Sequence, residues 1–198
     1  MQAFRATTAN HTVEIIVVCD RDRETFERLQ QEDCKVLYQG EGNAISAWNM
    51  GLRHATGEYI VFAANDLVPR AGWLDEALRV MRSLPNGSGL VGLNTGDHDT
   101  LATHFMVSRG FIKGYLGGVL AIPHYHHCFT DNEVNERARR AGRYAYAEGA
   151  RIDHRHPSRG KREADECDAY AGQWFAVDQT TFEDRKARGF PDDYEAVI

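Results

Sequence analysis

Apolar residues cluster along the chain in short runs separated by polar helical stretches. The run VEIIVV at 13–18 is β-branched and predicts a strand buried on both faces of a parallel sheet. RETFERLQQ then predicts a helix and KVLYQ a second strand. In NAISAWNMGLRHA, Ala44, Ala47, Trp48, Gly51, Leu52 and Ala55 fall at helical spacing, with Asn43 placed to cap the first turn. EYIVFAA predicts a third strand and GWLDEALRVMRSL the helix behind it. Strand and helix alternating three times predict a right-handed parallel α/β sheet.

The second half is less regular. PNGSG reads as a turn, while GLVGL, HFMV and GGVLAI read as strands. DNEVNERARRAG predicts a helix begun by Asp131 and closed near Gly142. RYAYAEGARIDHRHP then suggests two short strands and a turn, and the charged tail one helix around 178–188. The expected organisation is one domain over 1–157, with a charged extension over 158–198 packed on it.

The 198 residues suffice for one sizeable core. No apolar run reaches the roughly 20 residues of a spanning helix, and the start lacks the pattern of a secretory signal, so a cytoplasmic setting is the default expectation. Cys19, Cys34, Cys128 and Cys167 form no CxxC pair, which argues against a zinc ribbon or disulfide scaffold. A net charge of −6 gives no support to nonspecific nucleic-acid binding.

Candidate chemistry gathers at strand ends. Asp20 follows the first strand and Asn65-Asp66 the third, and ligands of open parallel sheets bind beyond the carboxyl ends of the strands. An aspartate there can hold a divalent metal or a sugar hydroxyl, and it can equally cap a loop. His124, His126 and His127 of HYHH raise a second reading, a metal site unrelated to the sheet edge. No cysteine or acid stands at a ligand spacing from them. Lining a cleft beside Asp131 is their other use, with Tyr125 available for stacking.

EIIVVCDRD, GNAISAWNMGLRHATGEYI, FAANDLVPRAGWL, TDNEVNERARRAG and IDHRHP occur in that order. Together they resemble the inverting, family-2-like glycosyltransferases of the GT-A fold, over about residues 13–157. The resemblance implies a three-layer α/β/α sandwich with a mostly parallel central sheet and a nucleoside-diphosphate sugar as donor. It implies Mn2+ or Mg2+ held by Asp66, with His154 joining the metal shell or diphosphate and His156 a near neighbour. Asp20 matches a nucleoside contact, with Cys19 in place of a preceding aspartate; Asn43, Asn49 and Asn65 fall on the donor side. Asp131 matches the catalytic base, with Thr130 where glutamate is usual, and Glu133 matches the second acid. Glu133, His124, His126 and Trp73 are the acceptor-side candidates.

Two departures stand out. The chain opens near the end of the helix that follows the family's usual first strand, so the 13–18 run would present an apolar edge able to pair with a second copy. Ala63-Ala64 stand where many relatives carry more acids. A binding module without turnover is the competing reading from the same resemblance. The acceptor, which the motifs do not specify, is a glycan, lipid or protein.

Overall fold

The structure, a computed structural model, describes residues 1–96, 101–157 and 160–198. The expected boundary at 158 falls outside the described residues. The elements are α1 (Gln2–Thr7), β1 (Ile16–Asp20), α2 (Arg23–Leu29), β2 (Lys35–Gln39), α3 (Ala44–His54), β3 (Tyr59–Phe62), β4 (Leu67–Pro69), α4 (Trp73–Ser83), β5 (Leu90–Asn94), β6 (Phe105–Ser108), α5 (Arg109–Tyr115), α6 (Thr130–Arg140), β7 (Tyr144–His154) and α7 (Glu166–Ala187).

β1 and β2 pair in parallel, as βαβ connectivity requires. The main sheet has the order β3-β6-β5-β7-β4 and is mixed rather than mostly parallel: β5/β7 is parallel, while β3/β6, β6/β5 and β7/β4 are antiparallel. The connections give the reason. Only residues 63–66 separate β3 from β4. A parallel crossover needs about a dozen residues or more, so β3 and β4 cannot be parallel neighbours, and β4 pairs antiparallel with β7 at the other edge.

Both faces of this sheet are covered. Leu90, Phe105 and Val107 join a core with Ile45, Leu52, Phe111 and Val134 on one side. Val91, Leu93 and Met106 join Trp73, Ala77 and Met81 on the other. Alternate residues of β5 and β6 thus enter opposite cores, which explains why GLVGL and HFMV read as unbroken apolar runs. β1 is less enclosed. Ile16, Val17 and Val18 are half-buried, and Val13 lies outside the strand and is 46% exposed.

Three predicted elements differ. GGVLAI is buried coil and not a strand, with Val119 to Ile122 at most 4% exposed. Its backbone is satisfied by side chains instead of a ladder. Asn49 Oδ1 accepts from Leu120 N at 2.9 Å and Ala121 N at 3.0 Å, Asn49 Nδ2 donates to Ala121 O at 2.7 Å, and Thr130 Oγ1 accepts from Ile122 N at 2.8 Å. Asn49→Ala would orphan these groups, so it is expected to lower stability by roughly 1–3 kcal/mol in urea unfolding. An unchanged midpoint would show the loop to be held by packing alone.

RYAYAEGARIDHRHP forms a single 11-residue strand with an irregularity after the Leu93–Ala147 pair, in place of two strands. The C-terminal helix starts at Glu166, twelve residues before the predicted position, where Asp165 caps Cys167 and Asp168. Phe175 and Val177 of α7 point outward, 52% and 48% exposed, while its buried residues are Asp178 and Arg185. A helix seated by polar groups carries no apolar stripe for periodicity to detect.

Candidate functional site

Three strand ends meet at one point. Asp66 precedes β4, His104 precedes β6 and His154 ends β7. The Leu67–His154 and Phe62–Phe105 registers bring them together. Their ligand atoms lie within 4.8 Å of one another. Among the described residues, this is the group of three or more His, Cys, Asp or Glu side chains able to hold a metal ion.

The cluster is internally ordered. His154 Nε2 lies 3.2 Å from Asp66 Oδ2, and the His104 and His154 rings meet edge to face at 4.8 Å. His104 is 5% exposed, with Nδ1 3.3 Å from the Phe62 carbonyl oxygen. A ring donating from Nδ1 keeps its lone pair on Nε2, the state a metal ligand requires. Burial by itself would raise the Asp66 pKa, but the His154 hydrogen bond and the charges of His154 and His104 outweigh it and hold the carboxyl below the ordinary aspartate value. Asp66 Oδ1 is buried without a hydrogen-bond partner. A buried orphan oxygen is costly unless a ligand satisfies it, and a divalent cation would do so. The donor set therefore fits a metal.

Beside the cluster, Asn65, Asp66, Arg155, Lys161, Arg162 and Asp165 line a cleft of about 300 Å³. Three cations converge there in a chain of net charge −6. Arg162 is braced by Asp168 at 2.6 and 2.8 Å and by Asp165 at 3.2 Å, and the Arg155 N–H donates to the Asp66 carbonyl. Asp20 ends β1 and accepts from Gln39 Nε2 at 3.0 Å. Its neighbour Arg21 takes a left-handed backbone, φ 57°, and lies 4.9 Å from the Tyr170 ring of α7. The C-terminal helix thereby touches the β1 end of the site.

Asp131 is the second residue of α6, which opens at Thr130 with Phe129 as N-cap; the expectation that Asp131 itself begins the helix is corrected by one residue. Asp131 keeps part of its surface in solvent, yet its carboxyl group is crowded, and burial raises its pKa to about 6 against the backbone N–H groups of Asn132 and Asp131. Burial, with the charges of Asp178 and then Asp131, pushes the Cys128 thiol up to about 11. Asn135, one turn along α6, takes the Ala102 N–H at 3.0 Å and donates to the Ala102 and Asp131 carbonyls at 2.9 and 2.8 Å. Ala102 lies two residues before His104, so Asn135 ties the helix of Asp131 to the strand of the cluster. On the other flank His127 lies 6.0 Å from Trp48, which packs on Phe62 at 4.4 Å.

Several expected site residues have other employment. Asn49 is buried and bonded to the 120–121 backbone, which leaves it no amide group to offer a donor. Asn43 forms a capping box with Ser46. Trp73 is 2% exposed, with Nε1 bonded to Thr7 and its ring edge-on to Phe4, so it belongs to the core and not to an acceptor surface. Glu133 is wholly buried between Arg137, Arg185 and Tyr125. The HYHH histidines diverge: His124 pairs with Asp193, His126 with Asp178, and His127 faces Trp48. That dispersal removes the basis for a separate histidine metal site. The sequence pattern does not single out His104, Asn135 or Asp178, and the one signal for His104 is its place as the first residue of HFMV.

An acid–imidazole cluster and a cationic cleft thus lie together at strand ends of an α/β sheet, and Asp131, of raised pKa, stands on the helix that Asn135 ties to the segment before β6. The model of the family described as glycosyl transferase family 2 matches residues 3–144, and the chain belongs to that family. The family implies the nucleotide-diphospho-sugar transferase fold and glycosyl transfer from nucleotide-sugar donors, often with divalent metals. No curated protein matches the chain. His154 and all of α7 lie beyond the matched span. No helix among the described residues is long and apolar enough to cross a membrane.

Proposed function

We propose that the protein transfers a sugar from a nucleoside-diphosphate sugar to an acceptor hydroxyl with inversion, using Asp131 as base and Asp66, His104 and His154 as metal ligands. The carrying observation is the buried, unpartnered Asp66 oxygen inside a carboxylate–imidazole cluster that opens on a cationic cleft. A divalent cation held there supplies neutralisation of the charge that develops on the leaving diphosphate. Arg155, Lys161 and Arg162 complement the same charge from the protein side. On this reading the nucleoside contact falls to Asp20, which ends β1. Asp131 accepts the proton of the attacking hydroxyl, a task suited to a carboxylate with a pKa near the working pH.

Two imidazoles in the donor set favour Mn2+ over Mg2+, since the smaller, harder ion prefers oxygen. UDP, GDP and dTDP are therefore to be screened by thermal shift with Mn2+, Mg2+ or excess chelator. One nucleotide is expected to stabilise the protein with Mn2+, by about 2.7 kcal/mol at 100 times its dissociation constant. The effect should be weaker with Mg2+ and absent in chelator, and Asp66→Asn or His104→Ala should abolish it. Equal stabilisation in chelator would sink the metal-bridged model.

A further inference from the structure

α7 presents one wholly buried carboxylate that the chemistry above does not use. Asp178 is 0% exposed, in a helix whose flanking residues are mostly in solvent. Its Oδ1 accepts from His126 N at 3.0 Å and His126 Nδ1 at 2.9 Å, and its Oδ2 from His127 N at 2.9 Å and Cys128 N at 2.8 Å. Three successive backbone N–H groups turned to one point form a nest for an anion, and here the anion is the protein's own. One turn earlier on α7, Trp174 stacks on the same His126 ring, 3.9 Å between centroids and 2° from parallel. Two residues of one helix face therefore hold one histidine.

The chain leaves this nest in a strained state. Phe129 adopts φ 65° and ψ −6°, a left-handed conformation unfavourable for a side chain of that size. Thr130 and Asp131 follow at once and open α6. Downstream, the backbone is pinned by Thr130 Oγ1 on Ile122 and by Asn135 on the Asp131 carbonyl. Upstream, the nest holds the backbone at 126–128, and the Phe129 ring packs against Phe175 and Phe182 of α7.

We propose that Asp178 is the positioning residue of the base: through the 126–128 backbone it fixes the orientation and seclusion of the Asp131 carboxylate. The inference rests on the reading of Asp131 as base. It assigns a role in catalysis to a helix outside the span matched by the family model.

The test compares wild type, Asp178→Asn and Asp131→Asn as full chains. Asn keeps the shape but puts an amide donor where an acceptor oxygen is needed. The first readout is the Asp131 carboxyl titration, followed by carboxyl-carbon NMR. Its midpoint is expected near 6 in wild type. In Asp178→Asn it should fall toward the ordinary aspartate value of about 4, part of the fall coming directly from the lost Asp178 charge, which also bears on Cys128. His126→Phe keeps that charge and should still lower the midpoint, with faster amide exchange at 126–128 in both variants. The second readout is nucleoside-diphosphate release from UDP-, GDP- and dTDP-sugars. In the folded variant kcat should fall by roughly 10- to 10²-fold while Mn2+-dependent binding of UDP, GDP or dTDP stays at the wild-type level.

An unmoved Asp131 midpoint with undiminished kcat in folded Asp178→Asn overturns the positioning role, even if its melting temperature drops. Retained turnover in Asp131→Asn sinks the base assignment alone, and the titration still decides whether Asp178 seats that carboxylate. Should Asp178→Asn fail to fold, His126→Phe takes its place, because it keeps the ring against Trp174 and removes one of the four donors. A smaller shift of the midpoint in the same direction supports the proposal, and no shift refutes it.

Discussion

Asp131→Asn is expected to lower sugar transfer by roughly 10²-fold or more while donor and metal affinity stay near wild type. The change keeps size and polarity but removes the proton acceptor. Stability should barely suffer. Asp131 is not the helix cap, so what is lost is a carboxylate near the positive end of α6, worth about 0.3–1 kcal/mol. An opposing effect offsets it. The folded pKa of about 6 lies above the unfolded value, so the folded chain holds this proton more tightly and loses stability as pH rises through that window. Asparagine escapes that loss above pH 6. Wild-type kcat should rise with pH to a plateau, with its midpoint near 6 as Asp131 ionises, and the variant should lack this limb. Near-normal turnover in Asp131→Asn would remove it as base.

Strand ends were the part of this site that a linear reading could find. Asp20 ends β1 of the two-stranded sheet and Asp66 precedes β4 of the five-stranded one, so placing each at a strand end needs only the strand boundaries. His104 needed more, because HFMV reaches the cluster only when β6 runs antiparallel between β3 and β5. Side-chain periodicity carries no strand direction, and the alternating pattern of the first half suggested a parallel sheet throughout. Asn49, Asn135 and Asp178 were illegible for a different reason. Each satisfies the backbone of a distant coil segment, a pairing separated by 72, 33 and 52 residues for the bonds to Ala121, Ala102 and His126. The same cause hid most of α7. Its contacts are made by Asp178, Arg185 and aromatic rings, so neither an apolar stripe nor composition announces it.

Glu133→Gln is expected to unfold the protein more readily and leave the chemistry of the folded fraction intact. The family resemblance makes Glu133 the second acid after Asp131 and an acceptor-side candidate. Its surroundings argue otherwise. Oε1 accepts from Arg137 Nε and Arg185 Nη2, both at 3.0 Å, and Oε2 accepts from Arg185 Nε and Tyr125 OH, both at 2.8 Å. Both oxygens are thus engaged, and no acceptor hydroxyl can approach a side chain with no exposed surface. The arginines continue outward, Arg185 to Asp193 and Arg137 to Asp192, so this glutamate joins α6 and α7 to the C-terminal residues. Removing its charge leaves two buried guanidinium groups short of an anion. Breaking a buried pair from one side costs about 3–5 kcal/mol. At about 2–4 °C per kcal/mol for a chain of this size, melting should drop by roughly 10 °C. Arg185→Met should fall similarly. Glu133→Leu combined with Arg185→Met should recover part of the loss, because the second change removes a charge the first had stranded. Urea unfolding and kcat per folded molecule, both measured well below the melting point, separate the roles. A Glu133→Gln protein that melts like wild type but has lost turnover would return Glu133 to the active site and displace the structural assignment.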